Sequence, residues 1–226
     1  NWVLYNKGGE YRKWYGNVNT ILNWKNNGLE VCNYTKNGKK ASYPRNKKDY
    51  FKQAISWSDV TSGPNSFRLI PIGFASDICS PFLPIKNYQP LLGIINSKIL
   101  SPFYKLLNPT LHFTTGDFNN LPLLTEDNIV VNKIVDDCIK YSKQEWHSKE
   151  TSFEFNQNEL IKHKSQDLED TCDLYQQYWK NKFFQLHKNE EDLNKQFIEI
   201  YGLQEELTPD VPLEDITILK EETSIV

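Results

Sequence analysis

Residues 91–124 read LLGIINSKILSPFYKLLNPTLHFTTGDFNNLPLL. Their first half sets apolar side chains at helical spacing: Leu92, Ile95, Ile99, Phe103 and Leu106/Leu107. Pro102 has no N–H to donate within one unbroken helix, and Ser97 or the Ser101-Pro102 pair restarts a turn. The spacing therefore predicts two short helices with a bend. The second half, residues 113–124, predicts an ordered loop that turns at Gly116-Asp117 and leaves through Leu121-Pro122-Leu123. A small helical unit packed on a sheet follows from this stretch.

Upstream, strand and turn signals alternate. Residues 2–5 and 20–24 suit strands, Gly8-Gly9 a turn, and Asn27-Gly28 and Asn37-Gly38 tight turns, because these residues accept positive φ. Residues 36–52 bring a basic cluster, Lys36, Lys39, Lys40, Arg45, Lys47, Lys48 and Lys52, among Tyr34, Tyr43, Tyr50 and Phe51. Cations beside aromatic rings suit a phosphate-contacting surface; a solvated lysine-rich loop has the same composition. Residues 58–66 form a polar loop in which small hydroxyl and amide groups lie near Arg68, and Asn and Arg make bidentate contacts to base edges. A surface turn at Gly63-Pro64 explains the same residues. Residues 68–74 read as one buried strand.

Downstream, Val130, Ile134, Cys138 and Tyr141 recur at helical spacing in residues 125–145, with Thr125 as cap and Glu126 and Asp127 at the positive end. Residues 146–159 connect. Residues 160–201 read as one long helix carrying Leu168, Cys172, Tyr175, Trp179, Leu186, Leu193, Phe197 and Ile200, and Gly202 stops it. Residues 203–226, acidic and containing Pro209 and Pro212, read as an extended exit. The expected class is α/β in the α+β sense: a small twisted, mainly antiparallel sheet with short helices, then long helices. The expected units are 1–123, 124–202 and 203–226.

Composition narrows the function. The net charge of −3 conceals a split: residues 1–120 hold 15 Lys/Arg against 6 Asp/Glu, and residues 121–226 hold 11 against 23. A basic half points to nucleic acid, and an acidic helical half to a solvated face or partner surface. No apolar run reaches the roughly 20 residues of a membrane span. The four cysteines are scattered and the four histidines do not fall into ligand spacing around them. This predicts reduced structural thiols, no metal and a cytoplasmic setting. The chain begins at Asn1 and has no Met, so it reads as part of a longer protein.

Four stretches carry a family resemblance: Lys13-Trp14-Tyr15-Gly16-Asn17, ISWSDVTSGPNSFR at 55–68, the central stretch with its Asn96-Ser97 helix, Gly-Asp loop and Leu-Pro-Leu exit, and FIEIYGLQEEL at 197–207. Glu150-Thr151-Ser152-x-x-Phe155 adds to them. Together, over roughly residues 2–218, they resemble the C-terminal target-recognition region of PglX-type adenine-specific DNA methyltransferases of BREX phage-defence systems, or of type IIG restriction-modification relatives. The resemblance implies double-stranded DNA as partner, helices after the sheet acting as spacers, and a parent methyltransferase domain using S-adenosylmethionine. It also allows for other defence-system subunits. The DNA-contact set is then Lys13, Asn17, Lys36, Lys39, Lys40, Arg45, Lys47, Lys48, Lys52, Ser58, Ser62, Asn65 and Arg68.

No catalytic residue and no cofactor are expected within this segment. Asn108-Pro109-Thr110-Leu111 echoes the Asn-Pro-Pro-aromatic motif of adenine methyltransferases, but it lacks the second proline and the aromatic ring, and a helix precedes it. No Asp…Glu-x-Lys arrangement in a strand context supports a metal-dependent nuclease. The alternative is a protein-interaction module that docks a defence-complex partner through the long acidic helix, with Tyr175 and Trp179 as contacts.

Overall fold

Alternating side chains in WVLYN make β1 (Trp2–Asn6), which pairs antiparallel with β2 (Thr20–Asn23) through Leu4↔Ile21 and Tyr5↔Thr20 in the computed structural model, which describes residues 2–125 and 127–219. Between them Gly8 and Gly9 both take positive φ. Asn26, Asn27 and Gly28 then form a left-handed turn inside α1 (Lys25–Asn33), where the Trp24 ring lies so close to Gly28 that a Cβ has no room. A two-stranded ribbon follows, β3 (Thr35–Lys36) and β4 (Lys39–Lys40).

β5 (Ala54–Trp57) is the centre strand of a second sheet, fully buried and antiparallel to β6 (Phe67–Ile70) and later to β8 (Phe82–Pro84). The run expected to be one strand from 68 to 74 is two. Pro71 cannot donate to a ladder and Gly73 sits at φ +103°, so the chain turns there and β7 (Phe74–Ser76) pairs parallel with β1 instead. The three small sheets run β2-β1-β7, β3-β4 and β6-β5-β8, antiparallel at every pairing but β1–β7.

The central stretch gives α2 (Gln89–Asn96) and α3 (Ser101–Leu107), two short helices with prolines in their first turns. Residues 113–124 are more ordered than a loop. Thr114 and Asp117 form a reciprocal capping box that closes a single turn, α4 (Thr115–Phe118). Phe118 then stacks on Trp57 at 5.0 Å, and Trp57 Nε1 donates to the Phe113 carbonyl at 2.7 Å.

α5 (Ile129–His147) is capped by Asn128, which accepts from the Val130 and Val131 amides; the expected cap, Thr125, precedes it, and Glu126 lies outside the described residues. The long helix begins later than expected. Asn158 and Asp167 each cap a start, so α6 (Glu159–Lys162) is a single turn and α7 (Leu168–Tyr201) carries the remaining length. Gly202 ends α7 in the left-handed conformation, with the Gly202 and Leu203 amides donating back to Glu199 and Ile198.

α2 lies between β6, α5 and α7. A Cβ at Gly93 would stand 3.0 Å from Val135 and 3.3 Å from Phe197, so the glycine sets how closely the three helices meet. One apolar core joins Trp57 and Phe67 from the sheet, Ile94 from α2, Val135 from α5 and Phe197 from α7. Residues 203–219 also belong to it: Ile216, Ile218 and Leu219 are buried, so the described part of the tail folds back rather than extending away. All four residues of Ile216–Leu219 are buried, the apolar three in the core. The architecture is α+β.

Candidate nucleic-acid interface

The basic cluster stands on a lobe of its own. Asn37 and Gly38, at φ +53° and +73°, close the β3–β4 ribbon, as two residues tolerant of positive φ do in a two-residue hairpin. In its register Lys36 is the cross-strand partner of Lys39, and like charges directly opposite one another weaken a ribbon. Lys36, Lys39, Lys40, Arg45, Lys47, Lys48 and Lys52 are all exposed. Among the described residues only Lys52 has an ion pair, with Asp49 at 2.7 Å, and Lys52 draws that carboxyl below its usual range. Lys47 donates to Cys32 Sγ and Lys40 sits over the Tyr43 ring. Trp24, Tyr50 and Phe51 pack edge on beneath, and Tyr50 donates to the Ser76 carbonyl at 2.8 Å, fixing the lobe to the sheet.

Strand β5 runs from this lobe to the polar loop. From Gln53 to Ser58 is roughly 17 Å of extended chain, or about five base-pair steps of duplex. There the loop is zipped to the one after α3: the Thr61 amide donates to Leu111, the Phe113 amide to Asp59, and His112 Nδ1 lies 3.1 Å from the Asp59 carboxylate. A cleft of about 650 Å³ opens between them, with Ser62 and Asn65 on one side and Lys98, Lys105 and Asn108 on the other. Among the described residues the side chains of Ser62, Asn65 and Lys105 make no hydrogen bond, so they are open to a ligand.

The remaining sequence candidates lie inward. Ser58 accepts from the Gly9 amide and donates to the Gly9 carbonyl, and Asn17 donates to the Glu10 carbonyl. Lys13 is buried on α7: its Nζ meets Glu190 at 2.6 Å, and the Trp14 indole N–H donates to the same carboxylate at 2.7 Å. Burial works against the Lys13 charge, yet Glu190 holds its pKa above the ordinary lysine value. Arg12 forms the companion clamp, reaching Glu145 on α5 and the carbonyls of Tyr15, Ser142 and Thr217. Gly16 makes room for it, since a Cβ there would overlap the Arg12 side chain. Lys13-Trp14-Tyr15-Gly16-Asn17 is thus an internal clasp.

Arg68 has 0% of its surface exposed, and its Nε has no acceptor. Its other nitrogens make long bonds to the Ser58 hydroxyl and the Arg12 carbonyl, and burial and the neighbouring Arg12 push its pKa down to about 10. In this conformation Arg68 does not reach the surface, and Lys13, though it borders the cleft, is almost wholly buried and held by Glu190. Trp179, offered above as a docking contact, is 1% exposed and in the core, and Tyr175 packs against that core. Lys98 and Lys105 carry no sequence signal because each is a lone cation, one in the turn between α2 and α3 and one within α3; only the fold brings them to the cleft that the polar loop lines. No group of three or more His, Cys, Asp or Glu side chains among the described residues could hold a metal ion.

The chain is 36% identical over 227 residues to the adenine-specific methyltransferase PglX of Lacticaseibacillus casei strain Zhang, covering 96% of this chain. It is 32% identical over 212 residues to the adenine-specific methyltransferase BrxX of Escherichia coli O9:H4 strain HS, covering 92%. It is homologous to one segment of each. That segment is 19% of the first relative and 17% of the second, so the chain spans under a fifth of either. No protein-family model matches it. No described helix is long and apolar enough to cross a membrane.

Proposed function

We propose that this segment is the DNA-contacting, target-recognition part of an adenine-specific methyltransferase of the BREX or restriction-modification kind. The observation that carries the reading is the β3–β4 ribbon, which sets Lys36 opposite Lys39 with five more exposed cations around them. Such a surface gains stability when polyanionic phosphate lies across it. Phosphates meet the lobe and fix the register, while Ser62 and Asn65 at the cleft, beyond the far end of β5, meet base edges. The similarity to two adenine-specific methyltransferases supports duplex DNA as the polyanion.

In the parent protein a methyltransferase domain outside this segment would take S-adenosylmethionine and the extruded adenine. The residues here do not fit that cofactor. Their only paired glycines, Gly8 and Gly9, lie in a loop leading to β2 and not to the N-terminus of a helix. A cytoplasmic setting and contact with other defence-system subunits belong to the same proposal.

The test is fluorescence anisotropy with a labelled random-sequence duplex, for the wild type and for a variant with Lys36, Lys39, Lys40, Lys47 and Lys48 changed to Glu. The proposal expects salt-sensitive binding by the wild type and none by the variant. Equal binding by both would remove the lobe from the interface.

A further inference from the structure

The tail crosses the rim of the cleft. Residues 203–219 contain Glu205, Glu206, Asp210, Glu214 and Asp215 and no Lys or Arg. Lys98 Nζ, on the opposite wall, donates to the carbonyls of Thr208 at 3.1 Å and Asp210 at 3.2 Å. Asn194 Nδ2 donates to the Pro209 carbonyl at 3.0 Å, His187 Nε2 lies 2.7 Å from the Val211 carbonyl, and the Val211 amide reaches Glu191. Beyond this span the chain is held far more deeply: Arg12 donates to the Thr217 carbonyl, and Ile216, Ile218 and Leu219 enter the core. Residues 208–212 are therefore a strap held by these polar contacts and by Val211, half-buried against the core, between two firmer anchors, α7 and the buried end.

Asp210 and Asp215 line the cleft; among the described residues neither carboxylate forms a salt bridge, and the Asp215 charge helps to hold that of the buried Lys13. With the strap seated, the cleft presents the Asp210 and Asp215 carboxylates to any phosphate, and the Lys98 ammonium is turned to peptide carbonyls. With it lifted, Lys98 joins Lys105 as a second cation. Carboxylates facing a phosphate backbone disfavour it at close range, and that repulsion is screened by salt.

We propose that residues 208–215 are an acidic strap that competes with nucleic-acid phosphate for Lys98 and restrains binding at the cleft. The inference rests on the reading of this segment as a DNA-contacting module and adds its regulation. Duplex that enters the cleft displaces the strap, so the same contact holds off polyanions that fail to engage the polar loop.

Three proteins test it: the wild type, Asp210→Asn/Asp215→Asn, and Glu205→Gln/Glu206→Gln. The last makes the same change of net charge at exposed positions that do not line the cleft. Duplex affinity is read by anisotropy at low and near-physiological salt, and hydrogen exchange at residues 208–212 is read with and without duplex. The aspartate variant should bind several-fold tighter at low salt, with the gain shrinking as salt rises, and the glutamate variant should bind nearly as the wild type does. Duplex should speed exchange at the Val211 amide in the wild type. Binding by the wild type with no gain in the aspartate variant overturns the strap. Equal gains in both variants overturn it too, because net charge alone would then act. No binding by any of the three removes the DNA reading as well.

Discussion

Glu190 ties the N-terminal half of the chain to the long helix, so its removal should loosen the whole molecule. The carboxylate is 4% exposed and accepts from Lys13 Nζ and Trp14 Nε1. In Glu190→Ala a buried ammonium loses its partner, which costs about 3–5 kcal/mol. An indole N–H is orphaned as well, adding about 1–3 kcal/mol. The sum is a large share of the roughly 5–15 kcal/mol that holds a domain together. For a chain of this length about 4 kcal/mol or more means a fall in midpoint of roughly 10 °C or more. Lys13→Met with Glu190→Leu, which removes both charges, should recover most of the loss. The pair also sets a pH window. The folded pKa of Lys13 is raised, so its contribution is complete below the unfolded lysine value of about 10.4 and disappears only as pH climbs through the folded value. Urea unfolding read by tryptophan fluorescence and by far-UV circular dichroism supplies the numbers. A loss under about 1 kcal/mol in Glu190→Ala, or separate wild-type transitions by the two probes, would refute the single shared core.

Three other perturbations follow. Burial lowers the pKa of His147, so stability present above the ordinary histidine value of about 6.5 is lost as pH falls through the folded one; His147→Gln should flatten the midpoint-against-pH curve below that ordinary value, and an unchanged slope would count against it. Arg68→Met removes a buried guanidinium with an unsatisfied Nε and should raise the unfolding free energy by about 1–3 kcal/mol; a loss of stability would show that its long hydrogen bonds matter more than its desolvation. Gly38 holds φ +73° with open space where a Cβ would go, so Gly38→Val strains only the ribbon. Duplex affinity should fall several-fold with the melting midpoint within about 1 °C of wild type, and unchanged affinity would detach the ribbon from binding.

Local signals in the sequence were strong wherever backbone chemistry decides structure. Pro102 split the central helices, Asn37-Gly38 closed the ribbon, and Gly202 stopped α7, each through a conformational preference of that residue alone. Long-range outcomes were not legible. Pro71 and Gly73 break the 68–74 run, but that Phe74 then joins Leu4 in the other sheet is a long-range outcome. The tail looks like a linker because it is acidic and broken by Pro209 and Pro212; that Ile216 and Ile218 find the core depends on elements far away in sequence. The candidate site divides the same way. Seven clustered cations were visible as composition, whereas Lys13 and Arg68, equally basic, are internal because Glu190 and the sheet claim them.

The most direct test of the account is the salt dependence of duplex binding, measured for the wild type and for Lys36→Gln/Lys39→Gln/Lys40→Gln. Each phosphate neutralised contributes a slope of about −0.9 to log K against log salt. Seven exposed cations set a limit near −6, and removing three of them should flatten the slope by between about 2 and 3. A wild-type slope near zero, or the same slope for both proteins, would contradict a phosphate-contacting lobe.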